Sequence, residues 1–200
     1  MSPNFDSSWV AALAPVIGLT ILLVFVLAYD RFLKPEDRRR VGLMTAWGAF
    51  VTLLVVLGLW LIFDMPNGQW SLEESLMWGG MIRFDMVSVV FTVIFLVALI
   101  LTSLLAMDVP YLQRSEFYAL LITAAIGFCL MGASADLIMV YVALELASIS
   151  SYVLAGFAPK EDRSSEAGMK FFIYGAFATG VMLYGLSRVF GVSGGAMIGV

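Results

Sequence analysis

Two ionisable side chains lie where the sequence is otherwise apolar. The first is Glu145, inside the run Ala135-Asp136-Leu137-Ile138-Met139-Val140-Tyr141-Val142-Ala143-Leu144-Glu145-Leu146-Ala147-Ser148-Ile149-Ser150-Ser151-Tyr152. A charge at the centre of a bilayer costs about 3 kcal/mol on insertion scales, so such a group needs a partner or a use. At 100° per residue, Tyr141, Ser148 and Tyr152 fall within about 60° of Glu145 on one helical stripe. Two phenols, a hydroxyl and a carboxylate on one face suit a hydrated cavity or a helix contact rather than lipid. One explanation is a hydrogen-bonded cluster that fixes helix packing. The other is a protonatable site on a proton path.

The second group is Lys170, with Tyr174, Phe177, Tyr184 and Arg188 within about 40° on its face. The opposite face carries Gly168, Gly175 and Thr179, which suits close helix contact. A lysine near a helix end can also snorkel to the interface on its long stem, so snorkelling and function stay open together. Lys170 lies about 6–9 Å in depth from Glu145 at 1.5 Å per residue. A water-bridged relation fits that offset better than a direct salt bridge. Asp136 and Asp85 stand at helix starts, where a carboxylate caps free N–H groups. Glu116 and Glu166 are expected in first turns, and Gly127, Gly132 and Gly156 at close contacts or helix ends.

The elements that must carry these groups are membrane spans. Hydrophobic residues make up 62% of the 200 residues and charged ones 13%, against about 45–50% and about 25% in soluble domains. Apolar runs of span length recur at about Trp9–Tyr29, Val41–Phe63, Phe84–Met107, Glu116–Gly132, Asp136–Phe157 and Ser165–Phe190. The expected fold class is all-α, a polytopic transmembrane helix bundle of about six spans. The first run lacks the basic flank of a secretory signal and is expected to be a retained span. A polar connection covers Asp64–Arg83, with Pro66, Asn67, Gly68, Gly79 and Gly80 as turn residues.

Arg31, Lys34, Arg38, Arg39, Arg40, Arg114, Lys160 and Arg163, eight of the eleven basic residues, fall in the first, third and fifth loops. The positive-inside rule makes those loops cytoplasmic and places the N-terminus outside. Cysteines introduced at positions 36 and 70 would then be labelled from opposite sides. The chain has no histidine and a single cysteine, Cys129, so neither a disulfide framework nor a thiolate-held cluster is available. The net charge of −4 is not concentrated into a nucleic-acid footprint. Lipid is the expected surrounding, and no nucleic acid is an expected partner.

Asp136-Leu137-Ile138, Tyr141 and Glu145-Leu146-Ala147-Ser148-Ile149-Ser150-Ser151-Tyr152 resemble the fifth-helix signature of the antiporter-like subunits of respiratory complex I. The form E-L-x-S-x-S-S-Y is similar to that of subunit N, called subunit 2 in mitochondria. Ser165-Glu166-Ala167-Gly168-Met169-Lys170-Phe171-Phe172 with Gly175-Ala176 resembles the sixth-helix stretch, and Phe117-Tyr118-Ala119-Leu120-Leu121 the entry to the fourth. The resemblance covers about residues 110–190. It implies a subunit of a proton-translocating NADH:quinone oxidoreductase, with Glu145 in the proton channel and Lys170 in a secondary part. It also implies that NADH, FMN, the iron–sulfur clusters and quinone bind other subunits and none binds this chain. Implied partners are the antiporter-like M subunit and the small K- and J-type subunits, in a bacterial inner membrane.

Family members have about fourteen helices arranged as two inverted repeats. This sequence reaches six, so the lysines of the seventh, eighth and twelfth helices are missing from it. Residues 1–110 are expected to form three front helices, 111–190 the first part of the proton-translocating repeat, and 191–200 a Gly-rich tail. The end at Val200 is expected to be an interruption, the rest being encoded beyond it or elsewhere. A cation/proton antiporter subunit and a truncated, non-transporting scaffold are the alternatives.

Overall fold

A computed structural model describes residues 7–32, 38–62, 76–158 and 161–193. Among these residues six long helices form in chain order: α1 (Ser7–Asp30), α2 (Arg39–Ile62), α3 (Met86–Ala106), α4 (Ser115–Ala133), α5 (Leu137–Ala155) and α6 (Asp162–Ser193). Each is long and apolar enough to cross a membrane, as the runs of about 20 apolar residues require. The expected turn at Pro66, Asn67 and Gly68, the loop position Lys34, Lys160 and the tail from Gly194 to Val200 lie outside the described residues.

The core belongs to the first four helices. Leu19 and Val26 of α1, Val41 and Ala49 of α2, Leu96 of α3, and Tyr118, Ile122 and Cys129 of α4 are almost wholly buried. Helix α4 is the hub, packing on α1, α3 and α5, while α2 packs on α1 and α3. Small residues allow the close approaches. A Cβ on Gly127 would stand 2.6 Å from the backbone nitrogen of Ala147, and one on Gly132 would stand 2.8 Å from Phe91 Cβ. Both glycines are close-contact positions, as expected. Without a hydrophobic drive between helices in lipid, van der Waals packing of this kind holds the bundle.

The connection before α3 contains a feature that composition does not show. Leu76–Met77 (β1) and Ile82–Arg83 (β2) pair antiparallel. They flank a turn in which Trp78, Gly79 and Gly80 all have positive φ, at 54°, 70° and 86°. Glycine adopts that region freely, whereas tryptophan seldom does. The hairpin is anchored by its buried residues Met77 and Ile82. It also docks on the α4–α5 turn, where Ala135 N–H donates to the Met81 carbonyl at 2.9 Å.

The helix starts behave as expected at two places. Asp85 accepts from Ser88 N–H at 2.8 Å, and Ser88 Oγ accepts from Asp85 N–H at 3.0 Å, a complete capping box. Asp136 accepts from Ile138 N–H at 2.6 Å at the head of α5. Helix α6 differs from expectation at both ends. It begins at Asp162 rather than Ser165 and continues to Ser193, so Gly191 and Ser193 are helical rather than part of a tail.

Candidate functional site

The site rests on α5 and on the helix pair it makes with α6. Glu145 lies near the middle of the 19-residue α5. It is half-buried, and its carboxylate makes no hydrogen bond or ion pair among the described residues. Its stripe is not uniform. Tyr141 and Ser148 are half-buried, but Tyr152 is 9% exposed. Tyr152 packs edge-on against Phe171 and Phe172 of α6, with ring centroids 4.8 and 5.9 Å away. A Cβ on Gly175 would overlap the Tyr152 phenol. The small face of α6 expected from Gly168, Gly175 and Thr179 is thus the face that meets α5, and Gly168 and Thr179 are buried there.

The crossing is tight at its loop end. A Cβ on Gly168 would stand 2.9 Å from Gly156 Cα. Ser164 Oγ donates to the Ala155 carbonyl at 3.1 Å and accepts from Ala158 N–H at 3.2 Å, which ties the end of α5 to the start of α6. At the other end, the first turns of α5 and the last of α6 leave a groove of about 250 Å³. Leu137, Tyr141, Leu183, Leu186 and Phe190 line it. Tyr141 thereby brings the polar stripe to the edge of an apolar groove.

Lys170 is placed differently from the expectation of a water-bridged relation with Glu145. Its ammonium is ion-paired with the Glu166 carboxylate one helical turn earlier, and its side chain is 65% exposed. Glu166 lies one turn inside the helix instead of at its first turn, on the same face as Lys170. The spacing Glu then Lys at i, i+4 is the favourable order for such pairs. That spacing, Glu166 to Lys170, was the signal that would have found the pair. Tyr174, Phe177 and Tyr184, on the same face, are exposed. Arg188 stands over the Tyr184 ring at 6.0 Å, within cation–π range.

Among the described residues there is no group of three or more His, Cys, Asp or Glu side chains that could hold a metal. Cys129 is buried in α4, away from any second thiol. This donor set does not fit an iron–sulfur cluster, which takes four thiolates.

The family described as "NADH:quinone oxidoreductase/Mrp antiporter, TM" matches residues 134–199, which include α5 and α6. The chain is 36% identical over 184 residues to NAD(P)H-quinone oxidoreductase subunit 2, chloroplastic, of Chlorokybus atmophyticus, covering 90% of this chain and 34% of that protein. It is 36% identical over 185 residues to NADH-quinone oxidoreductase subunit N of Anaeromyxobacter sp., covering 91% and 33%. A chain of respiratory complex I from Thermus thermophilus superposes with a TM-score of 0.72 at 28% identity, over 93% of this chain and 38% of that one. The chain therefore spans about a third of the length of the curated relatives it matches.

Proposed function

We propose that this chain is a proton-translocating part of a membrane-bound NADH:quinone oxidoreductase, a reading supported by its match to the NADH:quinone oxidoreductase/Mrp antiporter membrane family over residues 134–199 and by its identity to the relatives above. The observation that carries this is Glu145, a half-buried carboxylate whose side chain has no partner among the described residues, in the middle of a membrane span. Relatives named as subunits 2 and N of quinone oxidoreductases favour this complex over a cation/proton antiporter. The whole activity belongs to a longer protein within a larger assembly. Glu145 is its protonation site here, Lys170 a charge on the neighbouring helix, and Tyr141, Ser148 and Tyr152 the polar stripe along which water and protons reach the carboxylate.

The chemistry is charge exchange. Burial disfavours a charged carboxylate, and a nearby cation favours it. A cation that approaches Glu145 makes it release its proton, and one that withdraws lets it take a proton up. Moving one charge against 100 mV takes about 2.3 kcal/mol. A change of about two pKa units, at about 1.4 kcal/mol each, is enough. Lys170, held by Glu166 on the open face of α6, is not in contact with Glu145. The cation that acts on Glu145 therefore comes from movement of Lys170 or from another part of the assembly.

NADH, FMN, the iron–sulfur clusters and quinone are assigned to partner subunits, including M- and K/J-type membrane subunits. The membrane is the bacterial inner membrane, with the N-terminus outside. In the assembled complex, Glu145→Gln should abolish or strongly reduce proton translocation while NADH oxidation by an artificial acceptor continues. Unchanged proton translocation with the variant would refute the role of Glu145.

A further inference from the structure

At the end of the bundle where the Arg39–Asp108 ion pair closes α2 against α3, two hydroxyls are buried without partners among the described residues. Ser103 Oγ and Tyr118 Oη each have less than 1 Å² of accessible surface and no hydrogen-bond partner. Both residues are 0% exposed. They lie on facing helices, α3 and α4, and the seam is completed by α2. Position 42 shows how the groups converge. A Cβ there would stand 2.5 Å from Tyr118 Oη and 2.8 Å from Met107 Cβ. Ser103 lies one turn before Met107, and Met107 N–H donates to its carbonyl at 3.2 Å. Thr45, also 0% exposed, lies one turn beyond Gly42 on the buried face of α2. Its hydroxyl donates to the Val41 carbonyl at 2.9 Å, which leaves its oxygen free to accept.

A buried hydroxyl without a partner loses its hydration and gains nothing in return. Two of them in one seam, with a third hydroxyl oxygen able to accept, supply the two to four polar contacts that a buried water needs. The exposed Arg39–Asp108 pair, bonded at 2.8 Å, stands next to Met107 at this end of the bundle. Gly42 is what leaves room at this point, because any larger residue would displace the phenol.

We propose that the α2–α3–α4 seam is a hydration site. Ser103, Tyr118 and Thr45 hold ordered water that exchanges with the aqueous phase at the Arg39–Asp108 end. The site is separate from the α5–α6 pair and does not depend on the role of Glu145.

The test uses the membrane assembly that carries the full chain. Tyr118→Phe and Ser103→Ala each remove one hydroxyl and little else. If the hydroxyls hold water, each variant lowers the thermal midpoint by about 2–4 °C, and the double variant loses less than the sum. If the seam is dry, removing an unsatisfied hydroxyl relieves a cost, the midpoint rises and the effects add. That result overturns the proposal. Ser103→Cys, made in a Cys129→Ala background, should react with a small water-soluble methanethiosulfonate added from the Arg39–Asp108 side. Absence of reaction from that side equally overturns it. Proton translocation measured on the same variants keeps this outcome distinct from that of Glu145→Gln.

Discussion

Helices α4 and α6 are both apolar enough to span a membrane, yet half of the apolar window of α4 is buried and only 6% of that of α6. The difference follows the charges. No charged side chain lies in the middle of α1 to α4, and their interior is filled by Leu19, Leu96, Ile122 and Tyr118. Helices α5 and α6 hold Glu145, Glu166 and Lys170, and their Lys170 face is open, with Tyr174 74% and Phe177 75% exposed. The front of the molecule is a packed support. The back is a pair of helices whose polar groups are only partly satisfied within the chain. A carboxylate that must change its protonation state cannot be locked into a permanent ion pair, so this lack of satisfaction suits the proposed site.

The strongest way to break the contrast is to place side chains where the two regions differ in space. Gly127→Leu drives a side chain into Ala143 and Ala147, whose backbone atoms stand 2.9 and 2.6 Å from the added Cβ. Overpacking against backbone costs typically about 1–3 kcal/mol and occasionally more, and here the neighbour cannot swing aside. The α4–α5 contact should fail, seen as loss of folded protein in membranes. Gly185→Leu on α6 meets nothing within 4 Å and should accumulate normally. Equal loss from both substitutions would mean that α6 is covered as closely as α4.

A smaller effect is expected at the boundary between the hairpin and α3. Asp85→Ala removes the carboxylate half of the capping box and leaves the backbone N–H of residue 85 to donate to Ser88 Oγ, a loss of about 1 kcal/mol, read as a modest fall in thermal midpoint. Asp85 also stands 3.9 Å from the Arg83 guanidinium, and Arg83 ends the hairpin strand. Protease accessibility of the hairpin should therefore rise with the same substitution. A hairpin that stays protected would show that its docking on Ser134 and Ala135 holds without the cap.

The spans and the caps at Asp85 and Asp136 were legible because each depends on local sequence: apolar length for one, a short acceptor before a helix for the other. Glu145 and its stripe were legible through helical periodicity. The Lys170–Glu166 pair is written in the i, i+4 spacing, whereas the start of α6 was not legible, because its first turn, Asp162, Arg163 and Ser164, precedes the apolar pattern. The hairpin was not legible, since its turn needs a tryptophan at positive φ and its docking site lies some fifty residues away in sequence. The Ser103–Tyr118 seam was hidden for a similar reason. Periodicity gives the buried face of a helix, but not which other helix it faces.

The finest test of the contrast is the Glu166–Lys170 pair. Both side chains are more than 60% exposed, and exposed i, i+4 pairs are worth about 0.3–0.5 kcal/mol. Glu166→Gln, Lys170→Met and the double variant should therefore change the thermal midpoint only slightly, with a coupling energy in that range. The cycle isolates the pair because each substitution removes one charge and keeps the bulk of the side chain. A coupling above about 1 kcal/mol would mean that the pair is shielded from water by something packed against α6. In that case the open back of the molecule is a docking face of the assembly, and Lys170 is held at a distance from Glu145 by a buried counter-charge rather than by a solvated one.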